Sequence, residues 1–478
     1  MKSRRRRAIA GGTTTRCSKS IRKTGASEKF FCGFCGFAGP FCGDVLVVRT
    51  ASESPRRRQR LLIRSNLMML FSFRYDGIPA APSVARILML RFETAGESHG
   101  EYLVATVTGL PAGVPVTAGD IDRELRRRQQ GYGRGGRMKI ETDHAEIVAG
   151  VRHSRTIGSP VAVLIRNRDW QNWTESLPVE SFPGDEDKKK PVLRPRPGHA
   201  DLAGSLKYGF HDARYILERA SARETAARVA AGALAKAFLC QFGGQVLSHV
   251  VAIGRVRLAR KVSWDEVVAL NSRADILLGC IDAATEQRMK EEVDEAYRTG
   301  DTVGGVFEVV AHGLPPGLGS HIAWDTRLDA RLAAAVVSIQ AVKGVEIGDA
   351  FEATANFGSR VQDTIRYNAD SKAFVRGSNR AGGLEGGITN GEDVVVRGLL
   401  KPISTLRRPL ESVDFATREP ALAAYERSDV CVAPAAGVIG EAMVALVLAQ
   451  AFLEKFGGDA LHEIRRNYEG YLQQLREF

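Results

Sequence analysis

The stretch "SARETAARVAAGALAKAFLCQF", residues 221–242, limits the possible folds more than any other in the chain. From Ala226 onward, Ala, Val and Leu recur at helical spacing, so the predicted helix has a broad apolar face of small residues that lets a neighbour come close. Ser221-x-x-Glu224 at its start has the spacing of a capping box. "TRLDARLAAAVVSIQAVKG" and "EAMVALVLAQAFLEKF" predict helices of the same kind. Helices apolar on most sides are buried between layers, not laid on a surface.

The layers are written in the strand signals. "YLVATVTGLPAGVPV" alternates and is broken at Gly109-Leu110-Pro111-x-Gly113, and "RMKIETDHAEIVAGVRH" and "SPVAVLIRNRDW" predict further strands. "DIDRELRRRQQ" predicts a helix with Asp120 as its N-cap. The loop motif returns as Gly313-Leu314-Pro315-x-Gly317 after "GVFEVVAH", which suggests a duplicated strand–helix unit, with two sheets and helices between them. Residues 171–197 are polar and Pro-rich and read as a long loop. The expected class is α+β, one large domain with an internal pseudo-repeat.

The net charge of +12 invites a nucleic-acid reading, but its distribution argues otherwise. Residues 1–88 hold eighteen Lys/Arg against Glu28, Asp44, Glu53 and Asp76, a net of +14 that leaves −2 for residues 89–478. A nucleic-acid binder would carry its basic charge on the folded body with aromatics beside it. That reading is kept for the extension alone. The extension is expected to be disordered or foreign to the working protein, translated from a start codon upstream of Met89; an organelle transit peptide is the alternative. Cys240, Cys280 and Cys431 are scattered through the body, unlike a disulfide framework, and imply a reducing compartment, the cytoplasm. Cys32-x-x-Cys35 has half of a zinc spacing with no second pair following, so no metal is expected. No unbroken apolar run reaches the roughly 18 residues of a membrane span.

Four patterns carry possible chemistry. "RELRRRQQGYGRGGR" packs Arg123, Arg126, Arg127, Arg128, Arg134 and Arg137 into fifteen residues. Its Gly131-x-Gly133-x-x-Gly136 is no dinucleotide fingerprint, because a helix precedes it and a strand follows. It is either a solvated helix face or a cluster of planar donors for phosphate and carboxylate. The helix start at Ser221, flanked by Arg219 and Arg223, is a plain cap or an anion site. His99 in "GESHG" and His199 in "RPGHAD" sit among glycines that permit close backbone approach, and His moves protons near neutral pH. Arg427 and Asp429 in "ERSDVCVAP" form a local ion pair or a site.

Together "GESHG", "RRRQQGYGRGGRM", "RPGHAD", "RASARETAARVAAGA", "QAVKGVEIG", "GGLEGGITNG", "KPIST" and "RSDVCVAP" resemble the chorismate synthase family, from about Met89 to the final helix. The resemblance implies a β-α-β sandwich, a homotetramer, and a lyase that eliminates phosphate from 5-enolpyruvylshikimate 3-phosphate with the help of reduced FMN. It implies His99 as acid for the leaving phosphate, His199 beside the flavin, and Asp429 as the carboxylate that acts in proton removal. Substrate arginines would be Arg128, Arg134, Arg137, Arg196 and Arg223. Flavin contacts would be Arg219, Ala220, Ser221, Gln340, Ala341, Gly386, Lys401, Pro402, Ile403, Ser404, Thr405 and Arg427. Ala220 and Ile403 depart from the Ser and Thr common in the family. Arg128 and Arg134 match positions associated with NADP in some members. With no dinucleotide fold in the chain, NADPH is expected only as a weak ligand or indirect electron source, acting through a separate flavin reductase.

Overall fold

Alternation sets the first sheet. In β2 (Tyr102–Thr108) every second side chain, Leu103, Ala105 and Val107, is buried, so one face of the strand meets the core. β2 lies between β1 (Arg91–Ala95) and β4 (Val161–Arg166), with β3 (Ala145–Ala149) beyond β4, every pair antiparallel. The second sheet runs β8 (Val342–Ile347), β9 (Val394–Leu400), β7 (Gly305–His312), β5 (Gln245–Ile253) and β6 (Val256–Arg257), again antiparallel throughout. This computed structural model describes residues 90–135, 142–181, 184, 189–370, 372–426 and 428–478, all in the unit Pro79–Phe478. The extension 1–88, Arg137 and Arg427 lie outside the described residues.

The predicted helices form, except that "TRLDARLAAAVVSIQAVKG" is helical only over Leu328–Val337 and its last residues enter β8. α1 (Ala118–Gln129), α2 (Thr225–Cys240), α3 (Leu328–Val337) and α4 (Ala433–Phe456) pack on one another and on the strands. α2 lies on β1, β2 and β4, whereas α4 lies on β5 and β7, and α2 and α4 face each other. Their approach depends on Gly232, where an added Cβ would sit 2.2 Å from the Ala442 Cβ, far inside contact distance. α4 is long and apolar enough to cross a membrane, yet 89% of its most apolar window is buried inside the protein. It is packed as a core helix.

Both Gly-Leu-Pro-x-Gly loops follow a central strand and precede a helix, and both are closed by the same bonds. The Gly113 N–H donates to the Thr156 carbonyl and the Gly317 N–H to the Thr389 carbonyl, each at 2.8 Å. The buried Thr156 hydroxyl donates to the Pro111 carbonyl at 2.5 Å, and that of Thr389 to Pro315 at 2.8 Å. Two caps differ from expectation. Thr117, not Asp120, is the N-cap of α1, and Asp120 is its partner in a capping box. Ser221 caps only a 3-10 turn, Ala222–Glu224, because the Glu224 carboxylate is drawn to Thr94, Arg228 and Gln340.

Candidate active site

The helix Arg214–Ala220, the turn at Ser221 and the start of α2 form one wall of a cavity of about 520 Å³. That is within the usual range for a small-molecule site, about 300–1,000 Å³. It gathers residues spread over more than three hundred positions, from Ser98 to Ile439.

His99 stands on the loop after β1. Gly96 permits this loop at φ +102°, where a Cβ would strike the Tyr102 carbonyl at 2.3 Å. The Ser98 N–H donates to the Glu218 carbonyl at 3.0 Å and the His99 N–H to its carboxylate at 2.8 Å. His99 Nδ1 lies 2.9 and 3.1 Å from the two carboxylate oxygens, and the ring stacks on Trp173 with centroids 4.0 Å apart. Burial works to raise the Glu218 pKa, but its bonds and charge contact with His99, helped by Arg214, outweigh this and hold the carboxyl below the usual range.

His199 is held in the same manner by a different acid. Its Nδ1 is 2.5 Å from the fully buried Asp201, which also takes the Arg196 Nε–H at 2.8 Å. Burial again works against the charge of Asp201, and His199 and Arg196 overcome it, pulling its pKa well down. Arg196 continues to Thr405 Oγ1 at 2.8 Å, and Lys401 and Ser404 both donate to the Gly198 carbonyl, so "KPIST" and "RPGHAD" are tied together.

Three guanidiniums, Arg128, Arg134 and Arg223, enter from other directions. Arg223 Nη1 donates to Asp143 at 2.6 Å and its Nε to Asn167 at 2.8 Å. Arg128 donates to Thr225 Oγ1 and the Ala222 carbonyl, with Nη1 3.6 Å from the same Asp143. Arg134 Nε lies 3.1 Å from Asp429, which also accepts the Gly135 N–H at 2.5 Å. Burial and repulsion from Arg223 and Arg134 push the Arg128 pKa down to about 10, although Asp143 and Asp429 oppose that.

Of the expected residues, His99, His199, Asp429, Arg128, Arg134, Arg196, Arg223, Ala220, Ser221, Gln340, Ala341, Lys401, Ile403, Ser404 and Thr405 line this one cavity. Pro402 is flanked by lining residues without lining it itself. Arg219 is turned to the Thr94 and Gly96 carbonyls, and Gly386 sits in the hairpin Leu384–Thr389, both off the cavity wall. The arginine run divides: Arg123 is exposed and pairs with Asp120, and Arg127 turns into the core. Reading motifs missed Trp173, Asp143 and Glu218, and passed over Asp201 inside the quoted "RPGHAD". The acids adjoining the histidine and arginine motifs were the signal that could have found Asp201 and Glu218.

The fold and the site define an enzyme of mixed helix and antiparallel sheet, with a cavity that gathers several arginines beside two carboxylate-held histidines. The comparisons agree on which one. Residues 90–453 match the model of the chorismate synthase family. The chain is 74% identical over 390 residues to a chorismate synthase of Solibacter usitatus (strain Ellin6076), covering 82% of this chain and 100% of that protein. It is 66% identical over 395 residues to one from Koribacter versatilis (strain Ellin345), with the same coverage. A crystal structure of chorismate synthase superposes with a TM-score of 0.66 at 42% identity, covering 82% of this chain and 99% of that one. The chain belongs to the chorismate synthase family, a lyase of the shikimate pathway.

Proposed function

We propose that the cavity takes 5-enolpyruvylshikimate 3-phosphate and, with reduced FMN, converts it to chorismate and phosphate by 1,4-anti elimination. The observation that carries this is the convergence of Arg128, Arg134 and Arg223 on the cavity that also holds His99 and His199. A substrate with one phosphate and two carboxylates offers anions of the kind that planar guanidinium donors bind in pairs. Arg196 completes the clamp at the His199 end.

A flavin fits the residues present. Gln340 Oε1 is buried on the wall and meets no hydrogen-bond partner among the described residues, an acceptor that a ring N–H would satisfy. The wall also offers the backbone at Ala220 and Ser221 and the polar loop Lys401–Thr405. Reduced FMN, held there, would supply electron density to assist C–O cleavage. His99 gives a proton to the departing phosphate oxygen, and the arginines neutralise the charge that develops there. His199, fixed by Asp201, hydrogen-bonds the flavin ring, and Asp429 acts in removing the C6 proton.

The same reading includes a homotetramer, cytoplasmic location, and electrons delivered by a separate reductase with NADPH as their indirect source. It also includes a β-α-β sandwich with an internal repeat. The repeat is supported by matching register: Val107 pairs with Val161 in the first sheet and Ala311 with Val394 in the second, positions equivalent about the two Gly-Leu-Pro-x-Gly loops.

The test is anaerobic chorismate formation with chemically reduced FMN. Turnover that depends on the reduced flavin is expected; no turnover with it present would sink the assignment. The histidine's role is checked by His99→Ala, which should slow elimination while flavin binding stays near the parent's.

A further inference from the structure

We propose that Glu218 is a positioning residue that fixes the tautomer and ring orientation of His99 for proton donation to the leaving phosphate. This deepens, and rests on, the reading of His99 as the acid. The geometry that carries it is a threefold hold: one carboxylate reaches His99 Nδ1 through both oxygens at 2.9 and 3.1 Å and takes the His99 backbone N–H at 2.8 Å. Glu218 is 1% exposed, so this carboxylate is spent inside the protein and not on solvent.

A carboxylate at Nδ1 makes that nitrogen the N–H in the neutral ring. In the imidazolium it assigns the second proton to Nε2, the nitrogen that Glu218 does not hold. The stacked Trp173 ring holds the imidazole plane from one face. The other charged groups around the ring come from two sides. Arg214, on the same helix as Glu218, lies 3.4 Å from Glu218 Oε1 and keeps the carboxyl ionised. From the loop side, Asp169 accepts the Trp173 indole N–H at 3.1 Å, and Lys190 Nζ stands 4.1 Å from the Trp173 ring centre.

The experiment compares parent, Glu218→Gln and Glu218→Asp in two readouts: the nitrogen shifts of histidine labelled in the imidazole ring, assigned by difference with His99→Gln, and kcat and KM of anaerobic turnover. Glu218→Gln should raise the Nε2–H fraction of the neutral His99 ring and lower kcat about tenfold with KM near the parent's. Glu218→Asp should restore most of both. An unmoved tautomer would overturn the role of Glu218 while leaving His99 as acid. A moved tautomer with an unmoved kcat would instead overturn His99 as acid, and Glu218's part in the reaction with it. Should the Gln variant not fold, the parent decides: nitrogen shifts reporting a neutral His99 protonated mainly at Nδ1 support the proposal, and protonation mainly at Nε2 overturns it.

Discussion

Arg127 and Arg128 are adjacent on α1, yet they live in opposite electrostatic worlds. Arg127 meets Glu124 and Glu441 at 2.7 Å, Lys236 bonds the same two acids at 2.7 and 2.8 Å, and Ser248 adds a bond to Glu441 at 2.6 Å. Two cations and two anions close on themselves. Burial opposes the charge of Arg127, but Glu441 and Glu124 outweigh it and hold its pKa above the ordinary value. One residue further on, Arg128 shares Asp143 with Arg223 and faces Arg134 as well, and its pKa is pushed down to about 10. A buried charge balanced within the fold is structure. One left short of carboxylate is a place for an anionic ligand.

The contrast can be broken from either side. The largest effect is expected on the closed side: Glu441→Leu leaves Arg127 and Lys236 to share the single carboxylate of Glu124 and should cost about 3–5 kcal/mol in urea unfolding. Activity per folded molecule should survive. On the open side, Arg128→Met should lower kcat/KM about 100-fold, roughly 2.7 kcal/mol of transition-state binding. Its unfolding free energy should stay within about 1 kcal/mol of the parent, since it removes a charge the fold does not balance.

Acid gives a second test of the closed side. The Glu124 carboxyl is drawn down to about 2 by Lys236 and Arg127 against the opposing effect of burial. Its folded pKa is depressed, so its stabilisation is full above pH ~4.5 and lost as pH falls through ~2, about 3 kcal/mol in all. Acid unfolding of a Glu124→Gln protein should lack that slope. The smallest effect sharpens the open side: inorganic phosphate at ten times its Kd should add about 1.4 kcal/mol to the parent's stability. Arg128→Met should gain much less.

These two regions also show what a sequence discloses and what it withholds. The apolar helices were legible because their periodicity is local and their small residues, Gly232 above all, announce close packing. His99, His199, Asp429 and the arginines were legible as motifs set in loops. Asp143 was not: it serves Arg223 from 80 positions away, and a lone Asp in "ETDHAE" has no pattern of its own. The split between Arg127 and Arg128 was equally hidden, because consecutive helical residues point to different neighbours and the acids that claim Arg127 include one 314 positions distant. Ser221-x-x-Glu224 read as a capping box because the spacing is right, whereas tertiary partners took the glutamate.

The most direct test of this division of labour is anaerobic chorismate formation from 5-enolpyruvylshikimate 3-phosphate and reduced FMN by Arg128→Met, normalised to the folded fraction measured on the same sample. A folded protein of near-parent stability that has lost about 100-fold in kcat/KM is the predicted result. Near-parent turnover by a destabilised Arg128→Met protein would contradict it, and would make Arg128 part of the scaffold like its neighbour.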